Sequence, residues 1–190
     1  MKVLIGCEFS GTVRDAFIRA GHDAVSCDLL PTESPGPHIQ GDVLDVLDGG
    51  WDLAVFHPPC TFLANSGVRW LHSEAGRWQD MIEGAAFLRR LLDAPIPRIA
   101  IENPVIHKWA RLVVGRGPDQ TIQPWQFGHG ETKAICLWLK NLPKLTPTNI
   151  VEGRKPRVHH ASPGPERWKE RSRFYRGIAE AFATQWGSLD

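Results

Sequence analysis

The chain of 190 residues predicts an α/β protein: a mostly parallel, twisted sheet with helices on both faces. Three features carry that expectation. Short apolar runs of strand character alternate with segments of helical spacing. One run, Asp52 to Phe56, is apolar at nearly every position after its first, as a strand covered on both faces must be. The residues able to do chemistry fall at the ends of these runs, where doubly wound sheets hold their ligands. A composition of 42% hydrophobic and 23% charged residues at this length suits one domain over residues 1–190.

The elements follow in order. Lys2 to Gly6 is a strand closing on glycine; the Ser10-Gly11 loop then leads into a helix through Val13, Phe17 and Ile18. Asp23 to Asp28 is a second strand, and the proline-rich stretch Pro31 to Pro37 can only be loop. His38 to Asp42 reads as a short third strand and Asp52 to Phe56 as a fourth, stopped by Pro58-Pro59. Residues 73–92 read as one long helix whose apolar stripe is Trp78, Ile82, Ala85, Phe87, Leu88, Leu91 and Leu92. Arg98 to Glu102 is a fifth strand ending at Asn103-Pro104, with a short helix near His107 to Leu112. Thr121 to Phe127 and Ala134 to Leu139 lie close enough to pair as an antiparallel hairpin across Gly128-His-Gly130. Asn141 to Pro165 reads as loop, and Ser172 to Trp186 as a closing helix through Phe174, Ile178, Ala181, Phe182 and Trp186.

No stretch approaches the roughly 18 apolar residues of a membrane span, and the opening residues lack a signal-peptide layout. No membrane association is expected, and the cytoplasm is the expected location. Cys7, Cys27, Cys60 and Cys136 stand far apart without CxxC spacing, which points to neither a disulfide framework nor a zinc ribbon. The scattered histidines, His57 and the pair His159-His160 among them, form no metal pattern, and no metal is expected. His57 is read as ending the fourth strand, and Cys7, Cys27 and Cys136 as core residues.

The net charge of +1 conceals a polarity. Residues 1–60 hold three Lys/Arg against nine Asp/Glu, whereas Arg154 to Arg176 holds eight basic residues against two acidic ones. The segment 141–171 is therefore the candidate polyanion-contacting region, through Arg154, Lys155, Arg157, Arg167, Lys169 and Arg171, with Arg173 just beyond it. Most of the eight tryptophans read as core; Trp70 and Trp125 are the candidates for base stacking.

An isolated cysteine is usually an inert small hydrophobe. Cys60 differs because two prolines fix its backbone at the end of a buried strand, and the carboxylate Glu102 emerges from the neighbouring strand. Such a pair can attack and protonate an electron-poor ring. Two duller readings stand beside this one: Glu102-Asn103 as a strand-to-helix turn with Asn103 as cap, and Asp28 and Asp42 as ordinary turn acids.

Asp52-Leu-Ala-Val-Phe-His-Pro-Pro-Cys60, followed by Ile101-Glu-Asn-Pro104, resembles the Pro-Cys and Glu-Asn motifs of the DNA cytosine-5 methyltransferases. The whole chain is most similar to their short, phage-type relatives without a long target-recognition domain. In these, Gln126-Phe-Gly128, Lys133 to Trp138, Leu142-Pro143 and Ile178-Ala-Glu-Ala to Gln185-Trp186 recur. The resemblance implies a Rossmann-like class I methyltransferase fold and methyl transfer from S-adenosylmethionine to C5 of cytosine in DNA, in a bacterial or phage-infected cell. It implies Cys60 as the nucleophile toward C6, with Pro59 beside it, Glu102 on N3 and the exocyclic amine, and Asn103 orienting the loop. It places Phe9, Ser10 and Gly11 under the methionine moiety, Asp28 at the ribose, Asp42 at the adenine amine, and Pro58 in the same donor set.

Only about thirty loop residues, Asn141 to Arg171, are available to read DNA, so low sequence specificity, a small substrate or a partner is expected, and a homodimer stays open. Two alternatives remain. One is the same thiol chemistry with another one-carbon donor or a nucleotide substrate; the other is a catalytically silent nucleic-acid-binding module.

Overall fold

Strand β1 (Lys2–Gly6) lies near the middle of a seven-stranded sheet in the computed structural model, which describes residues 1–156 and 174–189. Helix α1 (Thr12–Arg19) leads to β2 (Asp23–Asp28), β3 (His38–Gln40) and β4 (Leu53–Phe56). Helix α2 (Arg77–Leu92), β5 (Arg98–Asn103) and α3 (Lys108–Val114) follow, then β6 (Gln120–Ile122), β7 (Ile135–Lys140) and α4 (Arg176–Gly187). The spatial order is β3-β2-β1-β4-β5-β7-β6. Strands β1 to β5 pair in parallel, while β7 runs antiparallel to both β5 and β6. This is a Rossmann-like, doubly wound arrangement, closed by a reversed hairpin.

Alternation along each strand divides the core in two. Leu4, Ala54, Phe56, Ile99, Ile101 and Trp138 face α2 and α3. Val3, Ile5, Leu53, Val55, Ala100 and Leu137 face α1 and α4. Strands β1 and β4 neighbour each other, yet their chains leave in opposite directions, β1 feeding the β2–β3 half and β4 the β5–β7 half. Such a switch opens a crevice beyond the carboxyl ends, where loops can meet a ligand.

Four elements depart from the sequence expectation. The helix over 73–92 begins at Arg77; Asn65–His72 forms a separate 3-10 segment, and Gly76 supplies the left-handed turn between them (φ 80°). Met81 is buried on α2, whereas Trp78 and Ile82 of the expected stripe are 38% and 42% exposed. Strand β6 stops at Ile122 because Pro124 starts a 3-10 turn over Pro124–Gln126 and has no amide for a ladder. Helix α4 starts at Arg176, after Tyr175 in extended conformation, so Phe174 precedes it. Strand β3 ends at Gln40, two residues early, where the Gly41 amide turns back to the Asp28 carbonyl.

Arg157, Arg167, Lys169, Arg171 and Arg173, with His159-His160, lie outside the described residues. Among the described residues no helix is long and apolar enough to cross a membrane.

Candidate active site

The loops that leave β4 and β5 are laced together. Phe56 pairs with Ile101 in register, which sets His57 beside Glu102 and Pro58 beside Asn103. Asn103 is 1% exposed, and its Nδ2 donates to the Pro58 carbonyl at 2.8 Å, fixing the chain two residues before Cys60. Beyond Cys60, the Leu63 and Ala64 amides donate to the Cys60 carbonyl in a tight turn. Asn65 N then donates to Val105 O, and His107 N to Leu63 O. His107 locks the same junction with both ring nitrogens: Nε2 donates to Phe62 O at 3.1 Å and Nδ1 accepts from the Ala110 amide at 3.2 Å. His107, not Asn103, therefore caps α3, and Asn103 is the tie between the two loops. Pro58 is buried, Pro59 exposed, and Cys60 half-buried.

Glu102 receives a hydrogen bond from His57 Nδ1 to Oε2 at 3.2 Å, with both side chains 13% exposed. Burial pushes the Glu102 carboxyl up, but the hydrogen bond from His57 and the charges of His57 and Lys133 outweigh it and hold the group below its usual range. The His57 amide donates to Gly6 O at 3.0 Å, and its ring packs against Phe174 with centroids 4.8 Å apart. His57 Nε2 is buried with no hydrogen-bond partner among the described residues. Cys136 lies opposite Asn103 on β7; burial, with a contribution from the Glu102 charge, pushes its thiol up and keeps it neutral.

At the ends of β1 to β3 the structure gathers Cys7, Asp28 and Asp42. Burial first, then the charges of Asp28, Cys27 and Asp42, push the Cys7 thiol far up. Each acid serves its own turn with one oxygen: Asp28 Oδ1 accepts from Leu30 N, and Asp42 Oδ1 accepts from Leu44 N, both at 2.9 Å. The turn reading of these acids thus accounts for one oxygen of each. Cys27 is buried, and burial together with Asp28, Asp42 and Asp45 raises its thiol to about 11.

Phe9, Ser10 and Gly11 form the β1–α1 loop, with Gly11 left-handed (φ 74°) directly over the Arg14 guanidinium. Arg14 is fully buried and holds the proline-rich loop to α1. It donates to Ser26 Oγ and Thr32 Oγ1 at 3.2 Å and to the Ser34 carbonyl at 3.0 Å, and it pairs with Asp15 at 2.8 Å.

Two contributors escape sequence reasoning. Local spacing marks His57 only as a strand end, because its partner stands 45 positions away on β5. Glu8 is 5% exposed and fills the N-terminus of α1, its carboxylate accepting from Val13 N at 2.7 Å, Arg14 N at 3.2 Å and Ser10 Oγ at 3.1 Å. An acid four residues before a helix is the available signal for such a cap, and the apolar surroundings hide it.

Within the basic segment, Arg154 stacks over Trp125 with its guanidinium carbon 3.7 Å from the ring centre. Lys155 is laid along the β6–β7 connection: its amide donates to Gly130 O, and its carbonyl accepts from Thr132 N. Trp70 is 38% exposed beneath Arg69, on the 3-10 segment that follows the Cys60 loop. No group of three or more potential metal ligands exists among the described residues.

No family model matches the chain, and no curated protein does. Among solved structures, a DNA modification methyltransferase encoded within an E. coli prophage aligns at a TM-score of 0.49 with 14% identity, over 79% of this chain and 51% of that one. A methyltransferase of Entamoeba histolytica aligns at 0.49 with 13% identity, over 78% and 57%. The chain thus spans little more than half the length of these neighbours. Its functional reading rests on its own residues.

Proposed function

We propose that the chain transfers a methyl group from S-adenosylmethionine to C5 of cytosine in DNA through a covalent bond between Cys60 and C6. What supports this reading above all is the lacing of the two strand-end loops. The Asn103 bond to Pro58 and the His57 bond to Glu102 hold a cysteine and a carboxyl group at the same end of adjacent parallel strands.

When bound, S-adenosylmethionine supplies the electrophilic methyl group. The negative corner made by Asp28 and Asp42 fits a cationic sulfonium compound that carries a vicinal diol. Cys60 Sγ adds to C6, which converts C5 into an enamine carbon. Glu102 holds N3 and the exocyclic amine, stabilising the charge that develops as sulfur attacks. Pro58 and Pro59 restrict the backbone before any ligand arrives, so little ordering remains for the bound state. The target base must leave the stack to reach such a crevice, and Arg154 on Trp125 with Lys155 offers a cationic, aromatic surface for a strand nearby.

The test is covalent trapping. Wild-type protein with donor and an oligonucleotide containing 5-fluorocytosine should form a stable adduct, and Cys60→Ala should form none. Absence of an adduct with wild-type protein rejects the thiol mechanism.

One observation favours a second reading, the same thiol chemistry with another donor. Glu8 already satisfies the first amides of α1, so a donor carboxylate finds that anion site taken. Calorimetric titration with S-adenosylhomocysteine separates the two readings, since the second expects no heat of binding.

A further inference from the structure

Glu102 stands as a carboxylate beside a histidine, yet the reaction asks it to serve an atom that needs a proton. Ring nitrogen N3 is an acceptor in the free base, and electron density builds on it as sulfur adds to C6. A carboxylate has no hydrogen to offer it. A donor stands beside it in His57 Nδ1, 3.2 Å from Oε2.

We propose that His57 is a positioning residue that fixes Glu102 through Nδ1 and relays, by way of that carboxyl, the proton taken up by the base; this rests on the cytosine reading above. As the Sγ–C6 bond forms, the C5=C6 electron pair moves toward C4 and the C4=N3 pair moves onto N3. N3 gains a proton, His57 changes from imidazolium to neutral imidazole, and Glu102 ends in the charge state in which it began. After methyl transfer the N3 proton returns along the same route, and loss of the C5 proton to water or hydroxide sends its electron pair into the C5=C6 bond and expels Cys60 Sγ as thiolate.

The surroundings fit a relay better than a structural pair. The His57 backbone is held by Gly6 and its ring by Phe174, so Nδ1 is directed at Glu102 before substrate arrives. Its Nε2 is buried and unpartnered among the described residues, which leaves the Nδ1 bond to Glu102 as the side-chain hydrogen bond described for the ring. Among the described residues the other ionisable groups acting on Glu102 are Lys133, whose charge favours the carboxylate, and the Cys136 thiol on β7. Lys133 acts on the carboxyl through its charge, whereas His57 acts through both a hydrogen bond and its charge.

The deciding experiment compares wild type with His57→Gln, whose amide can bond Glu102 but cannot carry the proton. Adduct formation with the 5-fluorocytosine oligonucleotide is followed across pH in single turnover. The wild-type rate should fall along one limb as pH rises. His57→Gln should be slower by roughly 100-fold or more and should lack that limb. A second readout needs no activity: in the free protein the hydrogen-bonded Nδ1 proton of His57 should give an NMR signal that disappears in Glu102→Ala. An active wild type with a His57→Gln variant of the same rate and pH profile overturns the relay alone. A wild type that forms no adduct overturns the transferase reading, and the relay with it.

Discussion

Asn103→Ala separates the stability of the fold from the geometry of the site. The side chain is 1% exposed and makes one hydrogen bond, Nδ2 to the Pro58 carbonyl at 2.8 Å, while Oδ1 is buried without a partner among the described residues. Deleting the donor removes a bond of about 1 kcal/mol net and leaves the Pro58 carbonyl unsatisfied at about 1–3 kcal/mol. Deleting Oδ1 removes an unsatisfied acceptor of similar cost, which offsets most of the second term. The expected net loss of stability is therefore only about 1–2 kcal/mol. The effect on chemistry is larger, because the same bond sets the chain two residues before Cys60, and a displacement near 1 Å at a reacting group costs on the order of 100-fold in rate. Asn103→Asp should be worse in both respects: it turns an acceptor toward the Pro58 carbonyl and places a second carboxylate beside Glu102, at a cost above about 3 kcal/mol. Urea unfolding gives the stability change, and single-turnover adduct formation gives the rate. An Asn103→Ala variant with a wild-type adduct rate, or one unfolded outright, would contradict this account of the bond.

Two further predictions concern charge. Glu102 binds its proton more weakly folded than unfolded, since the hydrogen bond from His57 and the charges of His57 and Lys133 outweigh burial. Its contribution is present above the ordinary value of 4.5 and is lost as pH falls through the lower folded value. The stability gap between wild type and Glu102→Gln, measured by urea midpoints, should shrink on acidification; a gap that widens contradicts the assignment. Arg14→Ala should lose about 3–5 kcal/mol, because the Ser34 and Pro35 carbonyls and two hydroxyls lose their buried cation. Limited proteolysis should then cut first within residues 29–37, and cleavage elsewhere first would argue against Arg14 as the anchor of that loop.

Several features are legible in the order of amino acids alone. Strands β1 and β2 have the expected bounds, Lys2–Gly6 and Asp23–Asp28, because short apolar runs between glycine and acidic residues have few other conformations. The antiparallel pairing of β6 with β7 follows from their nearness in sequence, although the connection spans residues 123–134 and is longer than the expected turn at Gly128-His-Gly130. The stripe on α2 fails at Trp78 and Ile82: apolar residues at helical spacing say which face is apolar, not how far the neighbouring elements extend over it. Those neighbours leave Trp78 edge-on to Trp109 at 5.6 Å, at the rim of the packing.

The site divides in the same way. That Cys60 and Glu102 end adjacent strands is readable from their motifs and from the alternation of strand and helix, both local properties of the chain. The two-faced core is equally local, since a period of two in a strand assigns every side chain to one face or the other. The partnerships are not: His57 with Glu102, Asn103 with Pro58, His107 with Phe62 and Arg14 with the loop at 32–35 emerge only in three dimensions. A hydrogen bond between residues 45 positions apart depends on strand order and register, and these are set by the packing of the whole sheet.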